Sequence, residues 1–419
     1  MRINANNQTR EKIYLAALLH DIGKFYQRAD TGSVNSSKYL NEHVKNLESV
    51  FCPLGKNGFR THKHVLWTAQ FIEDFRPVFQ KLLGSTQVEN LDLKDSLLYL
   101  ASGHHLSSDQ LSDCGKIIRQ ADHFSSGMDR SNDSALLDDQ DETDWDSFKK
   151  KRMTSIMESL MIDSTSGNAN NVKYHLPLNQ VSIDSLFLPE SEFSSPPDYK
   201  TIWEQFIAEF KFIQASDIKA FSETLLSLLL KYTSTTPSST IHFPDVSLFD
   251  HLKTTAAISI CLFDWTYNDK KGDEPFVLIG GDFSGIQNYI YNIISESASK
   301  NLKGRSLYLK LLSDSIVKHL LRELNLFDAN VIYNSGGSFY ILAPNTTEIQ
   351  EKLSTAIRFL EKRIFEAHGS DLYVAIASTP LSVDALLNRD GFSIGSVWST
   401  LFELRNQQKN RRYKELMLE

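Results

Sequence analysis

Cysteine is scarce in this 419-residue chain, and that scarcity excludes a good deal. Cys52, Cys114 and Cys261 lie far apart and form no CxxC pair, so neither a disulfide framework nor a four-cysteine zinc knot is available. No apolar run approaches the ~20 residues needed to span a bilayer. The N-terminal stretch MRINANNQTREK has no apolar segment of the signal-peptide kind, so no membrane partner is expected and the default location is the cytoplasm. An excess of basic charge is also lacking. The net charge is −8, which rules out a strongly basic nucleic-acid coat and leaves only local basic patches. Hydrophobic residues make up 41% of the chain and aromatics 11%, enough for two or three cored domains at roughly 150 residues each.

What is abundant is histidine in one place. Seven of the twelve histidines lie before residue 124. That third reads as helical: Ile13, Leu15, Leu18, Leu19 and Ile22 recur at helical spacing, as do Val65, Leu66, Ala69 and Ile72, then Leu97, Leu98 and Leu100, then Ile117, Ile118 and Ala121. From Asp129 to Asp146 eight acidic residues and one Arg predict a solvated linker, with an acidic regulatory segment as the alternative. A mixed region runs to a Ser/Pro break near residue 197. Residues 199–233 predict two amphipathic helices, and Leu248 to Trp265 a buried one.

After Lys271 the pattern alternates. A strand at Phe276–Gly280 ends in Gly280-Gly281-Asp282. Helices at about 284–294 and 305–325 follow, then strands at Val331–Asn334 and Ser338–Leu342 across Ser335-Gly336-Gly337, a helix at 347–367 and a strand at Leu372–Ala377. This β-α-β-β-α-β order is the ferredoxin-like split fold shared by polymerase and cyclase palms. The last 24 residues predict one amphipathic helix to Glu419, with no Gly or Pro stop, as in a chain that is cut or unfinished. The fold class is α+β: an N-terminal all-helical bundle, a connecting region, then a ferredoxin-like (polymerase/cyclase-type) palm. The expected boundaries are 1–128, 129–198 (acidic linker and connecting region), 199–270 (helical approach to the palm), 271–395 (palm) and 396–419 (C-terminal helix).

His20-Asp21 ends an apolar helix in LLHDIGK. Taken alone the doublet is a weak signal and reads as a capped helix end with a satisfied His. With His64 at the start of a later helix, His104-His105 after LLYLASG, and Asp122 one turn after Ile118, it becomes a ligand set suited to divalent transition metals. A bundle can bring such residues from several helices to one interior point. Asp21 is expected to bridge two ions, with His20, His64, His104, His105 and Asp122 completing their shells, and Lys24, one turn on, reaches a phosphate. His62 and His123 are expected to point elsewhere. A metal pair of this kind, Mn, Ni or Co, supports phosphoester hydrolysis, with His20, Asp21 and Lys24 catalytic.

LLHDIGKFYQRA, the later His-His and ADHFSSGMDR resemble the permuted HD nuclease domain of the CRISPR type III large subunit of the Csm (subtype III-A) kind. YHLPLNQVSIDSLFLP, PSSTIHFPDVSLFDHLKTTAAISICLF, GGDFSGIQNYIYNI and LKGRSLYLKLLSD continue the resemblance in order over nearly the whole chain. The resemblance implies an HD-type bundle that cuts single-stranded DNA, assembly with guide RNA and smaller subunits in a Csm complex, activation by target RNA, and two palms that together bind ATP and make cyclic oligoadenylates. It also implies a missing C-terminal half with a zinc-bearing element and a second palm bearing Gly-Gly-Asp-Asp. Here the hairpin reads Gly336-Gly337-Ser338-Phe339, so the palm resembles the first, degenerate one, which shares in nucleotide binding without a catalytic metal centre.

Gly281, Asp282, Ser284, Gly285, Lys303, Arg305, Gly336, Gly337 and Ser338 are the candidate ATP contacts. A tight turn for the glycines, and a solvated face or an RNA contact for the basic patch (Lys300 and Lys310 included), remain alternatives. Asp250-His251 matches the family string and is read as packing against the palm. A stand-alone phosphohydrolase acting on nucleotides and a non-enzymatic scaffold remain the competing functions.

Overall fold

The computed structural model describes residues 7–30, 32–88, 93–129, 147–159, 173–179, 183–193, 195–214, 217–239, 244–268, 272–291 and 298–418. Most of the expected acidic linker lies outside these residues. The chain divides into two compact units, one of residues 6–259 and one built on residues 260–419. Among the described residues no helix is long and apolar enough to cross a membrane.

The first unit is helical. Its main helices are α1 (Asn7–Leu19), α2 (Ile22–Ala29), α3 (His64–Asp74), α4 (Leu97–Ser102), α5 (Asp113–Asp129), α6 (Tyr199–Phe210), α7 (Ile218–Thr233) and the part of α8 (Leu248–Tyr267) that ends at Ser259. From Ile13 on, helix α1 is apolar all round, and Ile13 through Leu19 are inaccessible to solvent apart from a trace of Tyr14, as expected of a central segment. It packs on α4, and α2 packs on α3. Gly23 explains how closely: a Cβ there would sit 2.1 Å from the His64 carbonyl oxygen and 2.6 Å from Thr68 N. The gap is bridged by hydrogen bonds instead. Gly23 N donates to Thr68 Oγ1 (3.1 Å), which donates to the His20 carbonyl (2.9 Å). The elements read as a helical approach at 199–233 pack within this unit. Trp203 of α6 stacks on Tyr26 at 4.1 Å, and Phe210 meets Phe71 at 5.1 Å. The connecting region contributes a two-residue ladder, Tyr174–His175 with Leu188–Pro189.

The second unit holds an antiparallel sheet of β1 (Phe276–Ser284), β2 (Val331–Ser335), β3 (Ser338–Pro344) and β4 (Tyr373–Leu381) in the order β2-β3-β1-β4. Helices α9 (Ile286–Tyr291) and α10 (Ala298–Glu323) connect β1 to β2, and α11 (Thr347–His368) connects β3 to β4. This is the ferredoxin-like split fold expected from the sequence. Val277, Ile279, Phe339, Ile341, Val374 and Ile376 line one sheet face and bury α10 and α11 through Ile316, Leu320, Leu353 and Leu360. Helix α12 (Ile394–Lys409) covers part of the other face, with Leu401 against Gly280.

Two expectations need correction. Strand β1 does not end at Gly280 but runs to Ser284, because β3 and β4 both continue to pair with Gly281 and Asp282. The C-terminal segment is not one helix. It turns after Lys409 and resumes as α13 (Lys414–Leu418), because Tyr413, with φ 55°, is buried between Phe365 and Tyr373 and its hydroxyl donates to the Leu372 carbonyl.

Candidate metal centre

Asp21 occupies the break between α1 and α2 and is the N-cap of α2, so its backbone is fixed by two helices meeting at an angle. Two groups of ligand-type side chains share it. One is Asp21, His64, His104 and His105; the other is His20, Asp21, Asp122 and His251. Within each group the candidate donor atoms lie within 4.8 Å of one another. One Asp21 oxygen, Oδ1, lies 3.0 Å from His64 Nε2 and 3.6 Å from His104 Nε2. The other, Oδ2, lies 3.4 Å from His20 Nε2, 3.3 Å from His251 Nε2 and 2.7 Å from Lys24 Nζ. Asp122 Oδ1 is 3.3 Å from His251 and 3.6 Å from His20.

The surroundings orient these rings inward. His20 Nδ1 lies 2.7 Å from the Ala17 carbonyl and His104 Nδ1 2.9 Å from the Ala101 carbonyl; a carbonyl only accepts, so each Nδ1 carries the proton and Nε2 faces the cluster. His251 Nδ1 is 3.2 Å from Ser125 Oγ. Charge points the same way. Burial works against an imidazolium at His20, yet Asp21 and Asp122 beside it lift its pKa to about 10. Burial works against ionised Asp21 and Asp122 too, but Lys24 and the surrounding histidines hold Asp21, and His20 and His251 hold Asp122, well below the usual carboxylate range. The pocket therefore favours positive charge between its two carboxylates. By contrast burial lowers His64 to about 3 and holds His105, next to His104, well below the ordinary range, so both rings are neutral. Asp21 Oδ1 and His104 Nε2 are buried and form no hydrogen bond, which is the signature of atoms placed for a cation. The residues present fit a pair of divalent ions.

All six residues expected as ligands fall in these groups, and Lys24 stands beside them. His62 stays outside both groups but does not point away, as its ring lies 3.9 Å from that of His105. His123 is exposed. The sequence reading of His251 as packing against the palm is wrong: it belongs to the second group. The available signal was an imidazole on the buried face of an otherwise apolar helix, level with Leu248, Leu252 and Thr255, where it requires polar partners.

The palm is different. Gly336 and Gly337 have φ of 61° and 84°, the left-handed pair a two-residue hairpin needs. They bring Ser338 opposite Asp282, and Ser338 Oγ donates to Asp282 Oδ1 at 2.6 Å. The other Asp282 oxygen pairs with Lys409, and Arg412 donates to Ser284 Oγ at 2.6 Å. Phe339 turns to the opposite face, where its ring fills the space a Gly281 Cβ would take. Gly285 (φ 94°) has the Asp371 carbonyl 1.9 Å from its Cβ direction. Arg305 donates to the Tyr289 carbonyl and lies over that ring, while Lys303 is exposed on α10. Among the described residues no metal-binding group lies in this unit.

A histidine- and aspartate-lined helical bundle and a split βαββαβ sheet together define an HD domain and a palm-type domain. Comparison with known proteins agrees: the HD domain family model matches residues 1–127, and that of the Csm1 subunit domain B matches residues 275–419. The chain is a homologue of the N-terminal part of Cas10/Csm1 proteins of subtype III-A. It is 30% identical to the CRISPR system single-strand-specific deoxyribonuclease Cas10/Csm1 of Methanocaldococcus jannaschii, over 98% of this chain and 51% of that protein. With the protein of the same description from Enterococcus italicus it shares 29% identity, over 97% of this chain and 51% of the relative. A crystal structure of the Csm1–Csm4 subcomplex of the type III-A CRISPR-Csm interference complex superposes with a TM-score of 0.65 at 25% identity, covering 97% of this chain and 49% of that one. The chain thus spans about half the length of these relatives.

Proposed function

We propose that the first unit is a metal-dependent nuclease of the HD type that cuts single-stranded DNA. The observation that carries this reading is the pair of four-residue groups sharing Asp21, in which the buried Asp21 Oδ1 and His104 Nε2 form no hydrogen bond. The residues that would hold divalent ions are Asp21, His64, His104 and His105 on one side and His20, Asp21, Asp122 and His251 on the other. The His-rich donor set suits Mn²⁺, Ni²⁺ or Co²⁺. Ions held there would supply a hydroxide near neutral pH and positive charge against the scissile phosphate. The chain's own contribution is orientation. The Ala17 and Ala101 carbonyls fix the tautomers of His20 and His104, and Ser125 steadies His251. Lys24, at the more open edge of the site, offers its ammonium to a phosphate oxygen while still balancing Asp21. That the named relatives are single-strand-specific deoxyribonucleases supports DNA over a small nucleotide as substrate.

In the second unit we propose a nucleotide-contacting palm that is not itself catalytic. The hairpin presents Ser338 and turns Phe339 into the core, so Asp282 has no carboxylate partner there, and Lys409 neutralises it. ATP contacts at Gly281, Asp282, Ser284, Gly285 and the Gly336–Ser338 hairpin, with Lys303 and Arg305 nearby in sequence, complete that proposal. Synthesis of cyclic oligoadenylate would then require a second palm bearing Gly-Gly-Asp-Asp. Assembly with a Csm4-type subunit, guide RNA and target RNA in the cytoplasm belongs to the same proposal.

The direct test is metal content. Purified protein loaded with Mn²⁺ and desalted should retain metal, and His20→Ala combined with Asp21→Ala should remove most of it. Equal metal in the two proteins would overturn the assignment.

A further inference from the structure

The histidines around Asp21 are not all steadied in the same way. His20 and His104 each give Nδ1 to a backbone carbonyl, and His251 Nδ1 has the Ser125 hydroxyl. Among the described residues none takes His105 Nδ1 in a hydrogen bond. The polar contact that His105 makes runs from Nε2 to His64 Nε2 at 3.2 Å, inside the cluster. His105 stands beyond the end of α4 and is half-buried, whereas His104 beside it is fully enclosed. A ring in that position keeps its rotamer through what packs on it. Two rings lie against it, His104 at 4.1 Å and His62 at 3.9 Å, the latter tilted by 39°.

His62 is itself fixed at both backbone and ring. Its φ of 55° lies in the left-handed region, which a residue with a Cβ occupies at an energetic cost. The His62 carbonyl accepts from Val65 N at 3.3 Å and so opens α3, the helix that carries His64. Thr61 Oγ1 donates its single proton to the Pro53 carbonyl at 3.3 Å. His62 Nδ1, 3.0 Å from that oxygen, is therefore the donor, and the tautomer of its ring is set. A continuous line of contacts runs from Pro53 through Thr61 and His62 to His105, His64 and Asp21. His62 belongs to neither group of ligand atoms, so it leans on a ligand rather than being one. A costly backbone conformation that persists at the edge of a site points to a role for the side chain it aims.

We propose that His62 is a positioning residue for the ion site of Asp21, His64, His104 and His105, its ring holding that of His105 with Nε2 turned toward His64. The proposal rests on the metal-centre reading of that cluster. The other group is steadied independently: the Ala17 carbonyl holds His20, Ser126 donates to Asp122 at 3.3 Å, and Ser125 holds His251. Loss of the His62 ring should therefore be felt at one ion and not at the other.

The test is a Mn²⁺ titration of the full chain, with free ion counted by electron paramagnetic resonance. The wild type should bind two ions. His62→Asn, which suits the left-handed backbone but has no ring, should weaken one ion about tenfold or more and leave the other. His62→Phe, which strains the backbone but returns a ring without nitrogens, should keep both. A purely backbone role for His62 predicts the reverse order, with Asn harmless and Phe harmful. Two ions bound undiminished by His62→Asn would overturn the proposal and leave the metal centre standing. Equal loss in Asn and Phe would overturn it too, since the ring nitrogens would then be what counts. A wild type that binds no Mn²⁺ would sink the metal-centre reading, and the positioning role with it.

Discussion

At the scale of single residues, Asp21 organises the site and Gly23 makes it possible. A methyl group at Gly23 would meet the His64 carbonyl and Thr68, so Gly23→Ala should push α2 from α3 and widen the spacing between Asp21 and His64. Overpacking of this kind costs about 1–3 kcal/mol. Urea unfolding should show that loss, and metal retention should fall with it. His251 gives a sharper prediction. His251→Ala should weaken metal retention about tenfold or more while leaving a cooperative unfolding transition, measured by atomic absorption after dialysis. The first six candidate ligands were legible because their histidines and acids cluster in the first third of the chain, all but Asp122 at or just beyond the ends of apolar helices. His251 was not, because it stands more than 120 residues further on and only the packing of α8 against α1 and α5 gives it a role.

At the scale of elements, the palm's alternation of strands and helices was readable from hydrophobic periodicity and from the Gly336-Gly337 turn. Its strand lengths were not, because β1 extends through Gly280-Gly281-Asp282 only with two partner strands to hold it. Gly281 is required there by the Phe339 ring; its Cβ would lie 2.0 Å from Phe339 Cζ. Gly281→Ala should therefore lower the melting temperature of the second unit by several degrees in calorimetry, roughly what 1–3 kcal/mol implies. The break after Lys409 was equally hidden. Nothing in the local sequence stops the helix, and the anchor is Tyr413, buried between aromatic rings of α11 and β4. Lys409 and Arg412, placed by that turn, hold Asp282 and Ser284.

At the scale of the whole molecule, the proposed chemistry is divided between the two units. The palm prediction is negative: with ATP and Mg²⁺ this chain should yield no cyclic oligoadenylate by chromatography, since joining ATP to ATP needs paired metal ions that one Asp282 beside Ser338 does not hold. Product that vanished with Asp282→Ala would show the palm to be catalytic. The central claim concerns the bundle, and cleavage of an end-labelled single-stranded oligonucleotide in Mn²⁺ tests it most directly. The wild-type chain should cut the single strand much faster than the same sequence in duplex and faster than it hydrolyses free nucleotides, and Asp21→Asn should lower the rate roughly a hundredfold or more. Cleavage undiminished in Asp21→Asn, or a preference for free nucleotides over DNA, would contradict the account.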